Sequence, residues 1–233
     1  MVTLADCQRT QHAWFKALAA ATGGRSFSTH RMEWVWLPRT REMLCMFPTE
    51  INETGLLPAL AEAERRGAAV VGVWLNAAVK ASMLADYRFE PGWQPWWMTL
   101  PLDLERIVES GDAGTRVSVN NPAGEVCVLE PRQAWLATAR VDGEWAGQSY
   151  VFMPPAERKK NLAGIFDLEV APEHRRKRLG TQLLDKLSET AFDAGAEHLL
   201  LNATPEGQRL FGDYGFELIG KGQTWWYHLP RQP

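Results

Sequence analysis

The sequence predicts an α/β protein built from two similar halves. Three observations carry that expectation. First, the apolar run from Leu162 to Val170 reads as a buried strand, and Pro172 ends it. Leu179, Leu183, Leu184, Leu187 and Ala191 then recur at helical spacing. Second, Trp135–Val141 and Trp145–Met153 alternate around Asp142-Gly143, which predicts a tight β-hairpin. Third, blocks of the chain repeat. Ala85-Asp86-Tyr87-Arg88-Phe89-Glu90 parallels Gly212-Asp213-Tyr214-Gly215-Phe216-Glu217, and Leu75-Asn76 parallels Leu201-Asn202. Gly92-Trp93-Gln94-Pro95-Trp96-Trp97 parallels Lys221-Gly222-Gln223-Thr224-Trp225-Trp226, with the register slipped by two residues. Chance explains a doubled Trp in matching order poorly, and a tandem of similar domains explains it well.

In chain order, Thr10 to Ala21 reads as a helix that Gly23-Gly24 ends. Trp34–Leu37 and Met43–Phe47 read as paired strands around the polar PRTRE. Pro58 suits the first turn of a helix running to Arg66, with Gly67 as its cap. A buried strand at Ala69–Leu75, a helix near Val79–Tyr87 and a strand around Trp93–Leu100 follow. Leu102 to Gly114 reads as a linker, so the expected domains are residues 1–104 and 105–233. In the second half come the hairpin, a polar loop at Pro154–Lys160 and the strand and helix described above. A strand at Leu199–Asn202 and a helix from Gly207 to Phe216 complete it. One Trp of each pair, Trp96-Trp97 and Trp225-Trp226, is expected to face the core.

Composition narrows the function classes. Hydrophobic content of 45% and charged content of 23% are ordinary for a globular protein. A net charge of −3 argues against a surface that seeks nucleic acid or anionic lipid. Cys7, Cys45 and Cys127 are far apart and sit among apolar neighbours, as buried thiols of a reducing compartment do. Their spacing suits no metal, so none is expected. The most apolar segment, Ala68–Val79, is shorter than the roughly 18 residues that mark a membrane span. No signal-peptide core opens the chain, and the expectation is a cytoplasmic protein, monomer or homodimer, with no membrane or nucleic-acid partner.

The chemistry concentrates between the strand and the helix. Arg175, Arg176, Lys177 and Arg178 precede a helix start at Leu179-Gly180-Thr181. The first amides of a helix lack internal partners and carry partial positive charge. Such a terminus beside four cations suits a phosphate or pyrophosphate, although a solvated basic face has the same composition. The order Val170-Ala171-Pro172, then Arg175-Arg176-Lys177-Arg178-Leu179-Gly180, resembles motif A of the GCN5-related N-acetyltransferases, Gln/Arg-x-x-Gly-x-Gly/Ala. Leu199–Asn202 and Gly207–Phe216 continue the resemblance, which covers roughly residues 115 to 233.

That resemblance implies two GNAT-like domains, each a mixed, mostly antiparallel sheet flanked by helices. It implies acetyl-CoA as co-substrate, held by Leu168, Val170, Arg175, Arg176, Lys177, Arg178, Leu179, Gly180 and Thr181, with Asn202 and Phe211 alongside. It further implies N-acetyl transfer to a primary amine, on a small molecule or peptide, by direct attack. Three positions depart from the family. Arg178 stands where glycine is usual, Phe211 where many members carry a thiolate-protonating tyrosine, and Asn202 where a carboxylate base is common. Asp167 and Glu169 are the remaining candidates for the base, expected on one strand face opposite Leu168 and Val170. The first half has Pro48-Thr49-Glu50-Ile51-Asn52-Glu53-Thr54-Gly55 in place of the basic loop, and its carboxylates would repel a pyrophosphate. It therefore reads as a degenerate copy that walls a substrate cleft. The alternative is a non-catalytic acyl-CoA-binding sensor or scaffold.

Overall fold

The computed structural model describes residues 1–103, 117–119 and 124–230. Most of the expected linker, and the expected boundary at 104, lie outside the described residues. Two compact units form, and neither is a single stretch of chain. One holds Met1–Trp14 and Trp97–Ile219; the other holds Phe15–Trp96 and Gly220–Pro233.

The second of these begins in the C-terminal part of helix α1 (Leu4–Ala21). Strands β1 (Arg25–Thr29), β2 (Met32–Leu37) and β3 (Glu42–Met46) follow as an antiparallel meander. Helix α2 (Glu53–Arg65) crosses over to β4 (Val70–Asn76), parallel to β3. Short α3 (Met83–Asp86) and β5 (Glu90–Pro91) lead to β6 (Trp96–Pro101). The end of the last strand, β12 (Glu217–His228), pairs antiparallel with β4 from Gly222↔Asn76 to His228↔Val70. The core packs Met32, Trp34, Met43 and Cys45 against Leu56, Ala59 and Ala63 of α2. Helix α2 starts earlier than Pro58 predicts. The Asn52 side chain accepts the Gly55 amide at 2.8 Å, and that cap sets the helix start while Pro58 is carried inside.

The unit that carries the basic loop contains β7 (Val117–Val119), α4 (Glu125–Leu129) and the hairpin β8 (Ala134–Val141) with β9 (Glu144–Phe152). Asp142 and Gly143, both at positive φ, make the hairpin turn as predicted. Strand β10 (Leu162–Val170) pairs antiparallel with β9 and parallel with β11 (His198–Ala203). Helix α5 (Leu179–Asp193) is the crossover, and α6 (Gln208–Tyr214) follows β11. Leu183, Leu184, Leu187 and Ala191 bury the apolar face of α5, as their spacing predicts. Thus β2-β3-α2-β4-α3 and β9-β10-α5-β11-α6 run in the same order. Trp97 is buried and Trp96 half-buried, whereas Trp225 and Trp226 are both half-buried. Among the described residues no helix is long and apolar enough to cross a membrane.

The N-terminal part of α1 is fixed to the unit of the basic loop by charge and by stacking. Buried Asp6 accepts Lys160 Nζ at 2.7 Å, the Thr3 amide at 2.8 Å and a contact from Arg9. Arg9 Nε reaches buried Glu157 at 2.8 Å. Trp14 stacks on Phe166 of β10 with centroids 4.7 Å apart. Burial alone would raise the Asp6 carboxyl, but the bonds from Lys160 and Thr3 prevail and hold it at about 2. A depressed folded value adds stability above the unfolded value of about 4, and that stability is lost as pH falls toward 2. Wild type should therefore lose on the order of 1–2 kcal/mol more than Asp6→Asn across that window. Urea unfolding followed at a series of pH values measures the difference, and identical acid profiles would contradict this account.

Candidate functional site

The site begins with a defect in the sheet. On β9 two steps separate Tyr150 from Gln148, but on β10 three separate their partners, Phe166 and Glu169. The extra residue makes a β-bulge, with Asp167 in the left-handed region at φ 52°. Asp is among the few side chains that tolerate this conformation. Buried Ser149 donates its hydroxyl to the Phe166 carbonyl at 3.0 Å, which supports the bulge from β9. Gly147 lets the strands stay close beyond it, since a Cβ there would lie 2.6 Å from the Glu169 carbonyl oxygen.

Past the bulge β10 follows β9 and leaves β11. Parallel pairing covers Leu162↔His198 to Gly164↔Leu200. Beyond it, Phe166–Val170 on one side and Leu201 and Asn202 on the other line a cavity of about 820 Å³. The wedge opens toward the start of α5. There the N-cap residue Arg178 sits at φ 62° and offers no side-chain cap, so the first amides of the helix are left open. Arg176 is also left-handed, at φ 59°. Arg175, Arg176 and Arg178 are exposed, line the cavity and make no ion pair among the described residues. Arg175 Nε donates to the Val170 carbonyl at 3.1 Å. His174 presents a buried Nδ1 that has no partner among the described residues. Open amides, guanidiniums with no carboxylate partner among the described residues and an orphaned ring nitrogen around one cavity fit a ligand with several anionic oxygens.

Most predicted residues meet here. Asp167, Leu168, Glu169, Val170, Arg175, Arg176, Arg178, Leu179, Gly180, Thr181, Asn202 and Phe211 all line the cavity. Lys177 does not; it is exposed and outside the lining. The expectation that Asp167 and Glu169 share a face is corrected by the bulge. Pairing puts Glu169 on the face of Phe166, and the count of two from Asp167 is broken by the extra residue. Both carboxylates are exposed.

Tyr214 lies away from the cavity, with its hydroxyl 3.2 Å from Ser188 Oγ and hydrogen-bonded to Asp185. Burial raises the Asp185 carboxyl, against opposing pulls from Tyr214 and Arg178. Sequence reasoning missed His174, Thr204, Gly207 and Leu210 in the lining. Gly207, Leu210 and Phe211 stand at helical spacing, so one face of α6 was available as a signal. Among the described residues no cluster of His, Cys, Asp or Glu is placed to hold a metal ion.

A left-handed Arg costs about 1–2 kcal/mol, part of which glycine would return through unfolded-state entropy. Arg178→Gly should raise stability by about 0.5–1 kcal/mol while weakening the grip on anions. Thermal melts with and without ligand read both effects, and a lower melting temperature without ligand would contradict the strain.

Residues 102–216 match the sequence pattern described as "Acetyltransferase (GNAT) family". No curated protein matches the chain. Solved structures resemble it in fold over nearly its whole length. A GCN5-related N-acetyltransferase from Kribbella flavida is 14% identical, with TM-score 0.61, covering 97% of this chain and 96% of that one. A functionally unknown conserved protein from Staphylococcus epidermidis is 10% identical, with TM-score 0.58, covering 90% and 96%. A tandem GNAT protein from the clavulanic acid biosynthesis pathway is 13% identical, with TM-score 0.54, covering 100% and 98%. Residues 102–216 are thus similar in sequence to the GNAT acetyltransferase family, and the chain resembles the solved structures in fold.

Proposed function

We propose that the protein transfers an acetyl group from acetyl-CoA to a primary amine by direct attack. The observation that carries this is the wedge between β10 and β11, which leads to an uncapped helix start flanked by Arg175, Arg176 and Arg178. The pyrophosphate takes the amides of Leu179, Gly180 and Thr181 and the nearby guanidiniums. The pantetheine arm lies along Leu168 and Val170, on the edge of β10 that β11 no longer pairs with. The thioester then sits near Asp167 and Asn202.

The amine attacks the thioester carbonyl carbon, so a C–N bond forms and the C–S bond breaks. Asp167 takes the proton released by the nitrogen. The thiolate is protonated from solvent, because Phe211 offers no proton and Tyr214 is engaged with Ser188 and Asp185. A backbone N–H of the bulge region stabilises charge developing on the carbonyl oxygen.

Residues 1–104 are proposed as a degenerate GNAT-like half and 105–233 as the active half. Three things support the tandem reading. The order of elements recurs, the fold resembles that of a tandem GNAT protein, and Asn52 fills the helix start that the active half leaves open. The second reading, acyl-CoA binding without transfer, is favoured by Phe211 and Asn202 at positions where the family commonly has acid and base. A broad panel of primary amines assayed for free thiol separates the two: turnover supports transfer, and tight binding without turnover on any amine supports the sensor.

Charge reversal of Arg175 and Arg176 to Glu should weaken acetyl-CoA binding by about 1–3 kcal/mol per lost contact, and unchanged affinity would reduce the run to a solvated face. Asp167→Asn keeps a residue suited to the left-handed position and removes only the basic oxygen. The turnover number should fall by about 10²–10⁴, with affinity for acetyl-CoA intact and partial recovery at high pH. Full turnover in this variant would remove Asp167 from the mechanism.

A further inference from the structure

Asn202 is held by a residue from the other end of the chain. Its Nδ2 donates to Oε1 of Gln11, which is 4% exposed on α1. Asn202 lies two residues past the last parallel pair on β11, at the apex of the wedge, and lines the cavity. Gln11 stands one helical turn before Trp14, whose ring stacks on Phe166 at the same apex. Thr10, beside it, approaches Gly164, the last residue of β10 to pair with β11. The ion pairs of Asp6 and Arg9 with Lys160 and Glu157 fix this turn of α1 in place. Gln11 is also far outside the stretch that matches the family pattern.

A side-chain amide has two N–H donors and one carbonyl oxygen, and which end faces a site depends on what holds the other. Here one N–H is committed to Gln11. The amide is therefore oriented by a buried partner, and its carbonyl oxygen is left as an acceptor. An acceptor is the group that an incoming amine N–H requires.

We propose that Gln11 is a positioning residue that locks the Asn202 amide, so that the Asn202 carbonyl oxygen accepts a hydrogen bond from the acceptor amine. The role rests on the transfer reading above and assigns a binding residue for its second substrate. A neutral amine then spans two groups, giving one N–H to Asn202 while Asp167 takes the proton released on attack. Selection falls on nucleophiles with at least two N–H bonds, and secondary amines lose the contact or the proton path.

Three variants test this in the full-length protein: Gln11→Met, which keeps length without an acceptor; Gln11→Glu, which keeps an acceptor; and Asn202→Ala. The probes are acetyl-CoA with phenethylamine, spermidine or a glycyl peptide, using whichever wild type turns over fastest. Gln11→Met should raise the KM for the amine on the order of tenfold, with the dissociation constant of acetyl-CoA within about twofold of wild type. Gln11→Glu, whose carboxyl keeps an acceptor oxygen, should hold the amine KM within about threefold of wild type. Combining Gln11→Met with Asn202→Ala should add nothing to the loss from Asn202→Ala alone. An unchanged amine KM in Gln11→Met overturns the role, as do strictly additive losses. A loss of acetyl-CoA affinity equal to the loss for the amine assigns the pair to structure alone and overturns it too. If wild type turns over no amine at all, the transfer reading falls and takes this role with it; wild-type turnover with an insensitive Gln11→Met variant sinks this role alone.

Discussion

A strand that carries one extra residue cannot keep regular pairing with neighbours on both sides, and the site depends on how β10 resolves that conflict. It keeps β9 and gives up β11. The Ser149 hydroxyl and the bare backbone of Gly147 hold it to β9 across the bulge, and the Ala171 amide continues the contact to the Ala146 carbonyl at 2.9 Å. The strands part just where α5 must begin, so the gap leads to open helix amides. The cavity, the exposure of Asp167 and the edge of β10 that β11 leaves beside Leu168 share this one cause.

Two helix starts on one chain illustrate what makes an anion site. Helix α2 begins at a residue whose amide side chain closes back on the third N–H of the helix, beside Glu53. Helix α5 begins at a left-handed Arg with no such closure and three guanidiniums around it. The macrodipole is common to both. What differs is whether the sequence satisfies the terminus itself or leaves that to a ligand.

Periodicity and turn chemistry made much of the fold legible. The spacing of Leu179, Leu183, Leu184, Leu187 and Ala191 fixes α5 and its buried face, and Asp142-Gly143 fixes the hairpin. The bulge was not legible, because Phe-Asp-Leu-Glu reads as regular alternation and only the register with β9 reveals the extra residue. Pro58 predicts a later start for α2 than the Asn52 cap sets, and the cap decides. The two compact units interleave along the chain, which no local pattern announces. A late segment such as Gly222–His228 goes where its backbone finds a strand edge, here β4, and nothing local in the sequence states that. The partner of Asn202 was hidden for the same reason, since Gln11 is 191 positions away.

The central claim is that one helix start in this chain, that of α5, binds the pyrophosphate of acetyl-CoA. Calorimetric titration of the full-length protein with acetyl-CoA tests it most directly, with acetyl-pantetheine, which lacks the pyrophosphate, as the comparison ligand. The account predicts one site per chain and a large loss of affinity for acetyl-pantetheine. Two equivalent sites per chain, or equal affinity for the two ligands, would contradict it.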